Sequence, residues 1–266
     1  MTITKAKGGG AAVASERRHK SRPRRRRGRF GFAYKLLSVL LVIAAVVAAC
    51  LVFFRINQVT VTGNARYTAE EIADVSGIRT GDNLIALSKS KIAARIRTRL
   101  PYVQSVSIRR ALPDTVVLTV TEHTAAAAVS DGINWWYISA QGKLLETVSS
   151  PGQIIQITGL TAVEPELGGK LAVSEEYENR LTYALSLLSA LDDRGMLADC
   201  TALDCSSAGV LWLDYLNFRL KLPSTGDFSY MLTLLDGAFD SGRVSREDAG
   251  TFDFASAEGK AIYSKS

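Results

Sequence analysis

From Leu36 to Phe54 the chain carries no charged residue, while Arg17 to Arg29 just before it holds eight arginines and one lysine. Nineteen helical residues at about 1.5 Å each span roughly 28 Å, close to the hydrocarbon thickness of a bilayer. The reading is one membrane-spanning helix over residues 34–54, preceded by a basic tail over residues 1–33. Only Arg55 follows the apolar run closely, so the positive-inside rule puts the N-terminus in the cytoplasm and residues 55–266 outside.

Three other readings of this junction are weaker. A cleaved secretory signal has a charged region of a few residues, not the thirty-five that precede this run. Val47-Ala48-Ala49-Cys50 is similar to a lipidation site, but Leu51-Val52-Phe53-Phe54 continues apolar past the cysteine. Arg27-Gly28-Arg29-Phe30 lacks the spacing of a twin-arginine signal. A retained signal anchor is favoured.

The formal charge of +6 averages two compartments. Residues 1–35 hold twelve basic residues against Glu16 alone, a net of +11, and residues 36–266 hold 20 basic and 25 acidic residues, a net of −5. A basic tail beside a membrane helix supplies topology and attraction to anionic headgroups more economically than nucleic-acid binding, so no nucleic-acid partner is expected. Its composition up to Arg29, with little apolar surface to bury, predicts disorder.

The outer segment reads as two domains. Ile56 to Thr62 alternates apolar and polar residues as a half-buried strand does, and Gly63-Asn64 ends it. Thr68 with Glu71 forms a capping box for a short helix that stops at Gly77. A second helix from about Ser88 to Arg99 places Ile92, Ile96 and Leu100 on one face, and Pro101 forbids continuation. Strands follow over Val103 to Arg110 and Thr115 to Glu122, joined by a turn at Leu112-Pro113-Asp114.

This order, with Val59 to Asn64, the Leu100-Pro101-Tyr102-Val103 step and the Arg109 to Thr115 hairpin, resembles the POTRA domain of bacterial FtsQ/DivIB division proteins. His123 stands where that family usually has Arg, and Thr124-Ala125-Ala126 where a Pro is common, so no role carries over to position 123. The resemblance continues through the Trp135 to Leu145 hairpin, a strand over Ile154 to Leu160 and an amphipathic helix from about Ser174 to Leu191. Strands at about 201–205, 209–214 and 216–222, a helix from Asp227 to Phe239, and the segments Thr251 to Phe254 and Lys260 to Tyr263 complete it.

The fold class is therefore α+β: a disordered cytoplasmic tail over residues 1–33, one transmembrane helix over 34–54, a β-α-α-β-β POTRA domain over 55–123, and a mixed α/β "β domain" over 124–266 with a C-terminal sheet edge. A strand starting at Ile56 leaves almost no linker, which sets the POTRA domain next to the membrane. An outer-membrane barrel would need many more strands.

No enzyme is expected. The two histidines, His19 and His123, fall on opposite sides of the membrane, and no glycine loop for phosphates is present. Cys200 and Cys205 lack the further N or S ligands that zinc needs, which leaves a disulfide or two free buried thiols. No cofactor or metal is expected.

Two surfaces are candidates for contact. Lys91, Arg95 and Arg99 form a basic ridge at i, i+4, i+8 on the second helix, suited to an acidic partner or anionic wall polymer. At the C-terminal sheet edge, Thr251, Phe252, Asp253, Phe254, Lys260, Ala261, Ile262 and Tyr263 are candidates for pairing with a partner strand. The resemblance implies that a bitopic FtsB/DivIC-type protein, with an FtsL-type protein, docks there, and that the septal FtsW/FtsI-type peptidoglycan synthases are recruited or regulated. It further implies a single-pass protein of the cell membrane at the division septum. The alternative is a POTRA-bearing component of a secretion or sporulation channel, which would form rings.

Overall fold

The computed structural model describes residues 30–256 and 260–265. The expected disordered basic tail lies, up to Arg29, outside the described residues. The chain divides into two units, residues 1–50 and residues 51–266.

The first described element is helix α1, Phe30–Phe53, whose sequence contains a single charge, Lys35. It is the one described helix long and apolar enough to cross a membrane. Its side chains are exposed almost throughout, as they must be when hydrocarbon rather than protein is the solvent.

Within residues 51–266, the first layer is strand β1 (Gln58–Thr62), helices α2 (Ala69–Ser76) and α3 (Lys89–Arg99), and strands β2 (Val103–Ala111) and β3 (Thr115–Glu122). The sheet order is β1-β3-β2, with β1 parallel and β2 antiparallel to β3. The expected first strand starts two residues late for a definite reason. Ile56 donates its N–H to Asp82 O at 2.8 Å and accepts from Gly81 N–H at 2.8 Å, so its backbone serves the 81–84 loop and not the sheet.

The helices form where local chemistry directs them. Thr68 accepts from the Glu71 N–H, and the Glu71 carboxylate accepts from the Thr68 N–H at 2.8 Å. Gly77 closes α2 at φ 69°, a left-handed conformation that costs glycine little. Ile72, Ile92 and Ile96 then pack on Val116, Leu118 and Val120 from β3 in one core.

The second layer contains strands β4 (Ala127–Ser130), β5 (Trp135–Ile138), β6 (Leu144–Val148), β7 (Ile155–Thr161), β8 (Cys200–Asp204), β9 (Val210–Tyr215), β10 (Phe218–Pro223), β11 (Gly250–Asp253) and β12 (Ile262–Lys265). They make one mixed sheet in the order β12-β11-β10-β9-β8-β7-β4-β5-β6. Helix α4 (Glu178–Asp193) buries Leu181, Leu188 and Leu191, and helix α5 (Phe228–Asp240) buries Phe228, Leu232 and Leu235. Both join the cluster built on Leu203, Leu213, Leu220 and Phe252. The alternate residues Trp212, Asp214, Arg219 and Lys221 are left partly exposed, as expected of a sheet with one wet face.

Strand β4 is absent from the sequence reading. Ala127, Ala128 and Val129 are all buried, so no period-two alternation marks them, and alanine has little preference for strands. Cys200 opens β8 and Cys205 follows its end, both free and buried. An extended chain carries Cα atoms five residues apart to roughly 16 Å, far beyond disulfide reach. Burial pushes both thiols up to about 12, which keeps them protonated and unreactive.

Glu122, at the end of β3, accepts from the backbone N–H groups of Ala65 at 3.0 Å and Arg66 at 2.7 Å. Glu122→Ala leaves both donors without that carboxylate and is expected to cost about 1–3 kcal/mol. Urea unfolding of the full chain in detergent measures this, and an unchanged midpoint would show that the 65–67 loop is held by other means.

Candidate functional site at the carboxyl-terminal sheet edge

The nine-stranded sheet has two ends. At one, β6 is partly covered, because Leu144 donates to Gly169 O and accepts from Gly168 N–H, each at 2.9 Å. At the other, β12 pairs with β11 in the antiparallel register Gly250↔Lys265, Thr251↔Ser264, Phe252↔Tyr263 and Asp253↔Ile262. Among the described residues nothing hydrogen bonds to the far side of β12. Alternate N–H and C=O groups of an antiparallel edge strand point outward, so this side is a template for another strand.

This divides the eight residues expected at the edge. Thr251, Phe252 and Asp253 belong to β11, which is interior: β10 pairs with it in parallel on one side and β12 pairs on the other. Phe254 is buried and donates its N–H to Lys221 O at 2.9 Å. None of these four presents a free edge. Lys260 and Ala261 precede the strand, and the edge itself runs from Ile262 through Tyr263 and Ser264 to Lys265. The last two were missed because the boundary of a four-residue strand has no sequence mark.

What seats β12 is an aromatic cluster. The Tyr263 ring lies 5.1 Å from that of Phe252 and 6.3 Å from that of Phe218, centroid to centroid. Phe218 and Phe252 also pack on Phe239. The Tyr263 hydroxyl donates to Ala249 O at 3.1 Å. Gly250 permits the close approach, since a Cβ there would stand 2.5 Å from Ser264 O and 2.6 Å from the Tyr263 ring. A cavity of 410 Å³ lies beside this edge between the start of α5 and Phe254, lined by Tyr230, Met231, Leu234 and Lys260 among others.

The turn after β11 is tied by Asp253, which accepts from Lys221 Nζ at 2.9 Å, Ser256 Oγ at 2.7 Å and the N–H groups of Ala255 and Ser256. Burial alone would raise its pKa; the bonds from Ser256, Lys221 and the two amides outweigh that and hold it at about 2. A carboxylate depressed in this way stabilises the fold above its unfolded value and ceases to do so as pH falls toward about 2.

The basic ridge is also divided. Arg95 donates from Nη1 to Ser76 O at 2.8 Å, so its guanidinium caps the end of α2. Lys91 and Arg99 remain exposed on α3.

A third group, with no signal in the sequence, joins the two sheets. The Tyr102 hydroxyl donates to Glu146 Oε1 at 2.8 Å, Arg66 pairs with Glu146 Oε2 at 2.6 Å, and the Arg66 guanidinium lies 4.8 Å over the Tyr102 ring. Burial first, and then the bond given to Glu146, raise the Tyr102 hydroxyl well above the ordinary phenol range. Glu146 sits on β6 among ordinary polar residues, which is why pattern alone did not single it out. Among the described residues no group of three or more His, Cys, Asp or Glu is placed to hold a metal ion.

Two outcomes are expected. Gly250→Ala should unseat β12, raising amide exchange over residues 262–265 by about tenfold or more while α4 and β8 stay protected; unchanged exchange would refute the close-approach argument. Asp253→Asn should lower the unfolding midpoint at pH 7, and the gap from the native chain should close as pH drops from about 4 to 2; a gap independent of pH would exclude the ionised carboxylate as its source.

Residues 54–123 match the model of the POTRA domain, FtsQ-type. The chain is 26% identical over 163 residues to cell division protein FtsQ of Corynebacterium glutamicum, covering 60% of this chain and 73% of that one. It is 30% identical over 121 residues to cell division protein DivIB of Clostridium acetobutylicum, covering 45% and 48%. Against cell division protein FtsQ of Streptomyces coelicolor it is 28% identical over 120 residues, covering 45% and 44%. The matched stretch thus spans about half the length of the latter two relatives. Residues 54–123 are thus an FtsQ-type POTRA domain, and the chain that carries them, with an apolar helix before and a mixed sheet after, is similar to the bacterial cell-division proteins FtsQ and DivIB.

Proposed function

We propose that this chain is a non-enzymatic scaffold of the division septum, which binds a partner by adding a strand to β12. The observation that carries the reading is the outer side of Ile262–Lys265, unpaired among the described residues, with the strand seated on the Phe218, Phe239 and Phe252 cluster. A rigid edge offers main-chain hydrogen bonds at little entropic cost, and pockets beside it supply selectivity.

The partners are bitopic proteins of the FtsL and FtsB/DivIC type, and through them the septal FtsW/FtsI-type synthases, as the family resemblance implies. The single apolar helix α1 confines the chain to the membrane, and the arginine-rich segment before it favours a cytoplasmic N-terminus. Binding events between co-anchored chains then become two-dimensional, which raises effective concentration without new contacts. Support for the division role comes from the family, and support for the mode of binding from the sheet order.

Proline scanning through Ile262, Tyr263, Ser264 and Lys265 tests the mode. Alternate positions should lose partner capture while β12 remains paired to β11, since proline removes one outward donor. Normal capture by all four variants would sink strand addition. A fluorescent fusion should concentrate at the septum of dividing cells, and uniform membrane fluorescence would refute the division role.

A further inference from the structure

Where the two sheets meet, a cavity of 520 Å³ is lined by Arg97 and Thr98 of α3, Gln104 of β2, His123 just past β3, Lys143 just before β6, and Gly169. Of these, Arg97, His123 and Lys143 carry or can carry positive charge, and they come from different parts of the chain. Their setting is unusual in this chain, because residues 36–266 hold a net charge of −5. Like charges are gathered here against that average.

Little in the surroundings neutralises them. Among the described residues Arg97 enters none of the ion pairs, and Lys143 donates to a neutral acceptor, Val103 O, at 3.1 Å. Burial and then the nearby Arg97 charge lower the Lys143 ammonium below its ordinary range. Burial and then Lys143 lower the His123 imidazole, and Asp192 at the end of α4 and a hydrogen bond with the Gln141 side chain oppose this only in part. Arg97 and Lys143 carry like charges across this cavity, and an anion placed between them relieves their repulsion.

We propose that this junction cavity is a binding site for a phosphate-type oxyanion, held by Arg97, Lys143 and His123. The donor set favours phosphate over carboxylate. A guanidinium fork and an ammonium converging from different elements, with an imidazole beside them, suit the several oxygens and the higher charge of a tetrahedral anion better than the planar pair of oxygens of a carboxylate. The volume leaves room for the rest of a phosphate ester. Since Arg97 stands on the three-stranded layer and Lys143 on the nine-stranded one, the anion bridges the two.

The test uses the full chain in phosphatidylcholine nanodiscs, titrated calorimetrically with inorganic phosphate and with pyrophosphate. Saturable binding to one site is expected, weakened about tenfold or more in Arg97→Gln and less than about twofold in Lys91→Gln, which removes the same charge from the same helix away from the cavity. Lys143→Gln should act like Arg97→Gln, with its unfolding midpoint followed to exclude misfolding. Repeating the titration in discs containing phosphatidylglycerol separates two sources: loss of pyrophosphate binding there identifies a lipid headgroup as the occupant, and retained binding identifies a free phosphate or its ester. No saturable binding of either anion, equal weakening by Lys91→Gln and Arg97→Gln, or tighter binding of poly-glutamate than of pyrophosphate would overturn the proposal.

Discussion

The Glu146 carboxylate, taking a hydrogen bond from Tyr102 and an ion pair from Arg66, is the interaction on which the arrangement of the two sheets rests. Each sheet has its own hydrophobic cluster, and among the described residues no strand pairing joins them. Charge-assisted bonds to a half-buried carboxylate are worth more than neutral ones and are directional, so they set an orientation that apolar contact alone would leave loose. Lys143, reaching back to Val103 O, adds a second polar contact, beside the junction cavity.

A different constraint governs the far end of the nine-stranded sheet. An unpaired strand edge is a hazard in any soluble domain, and proteins usually blunt it with charge, proline or a cover. Here β6 is partly covered by the backbone of Gly168 and Gly169, whereas β12 is left open among the described residues and braced from behind by aromatic rings. Stiffness behind and vacancy in front suit a strand acceptor. The open edge also follows directly on the turn tied by Asp253, so the start of β12 is held while its outer side is free.

What was legible in the sequence was local. The Thr68 and Glu71 box, the Ile92 and Ile96 face and the stop at Pro101 involve residues within a turn or two, and the structure has each of them. Strand β4 was not legible, since burial on both sides erases alternation and its Ala residues carry no strand preference. The division of the edge residues was not legible either. Whether Thr251 or Ile262 is outermost depends on strand order, and order is a relation between segments far apart in the chain. Likewise the i, i+4, i+8 spacing put Lys91, Arg95 and Arg99 on one face, but only the packing of α3 on α2 turns Arg95 onto Ser76 O and leaves Arg97 facing Lys143.

By itself, then, the sequence determined a membrane-length apolar helix beside a basic segment, an acidic outer part, and a run of POTRA-like elements, because hydrophobic length, charge and periodicity are properties of contiguous residues. Tertiary structure decided which strand became the open edge, which arginine was spent on capping a helix, and that three basic groups distant in sequence share one cavity. These depend on hydrogen bonding and burial between segments brought together only by folding, where a single carbonyl or a glycine without a Cβ chooses among neighbours.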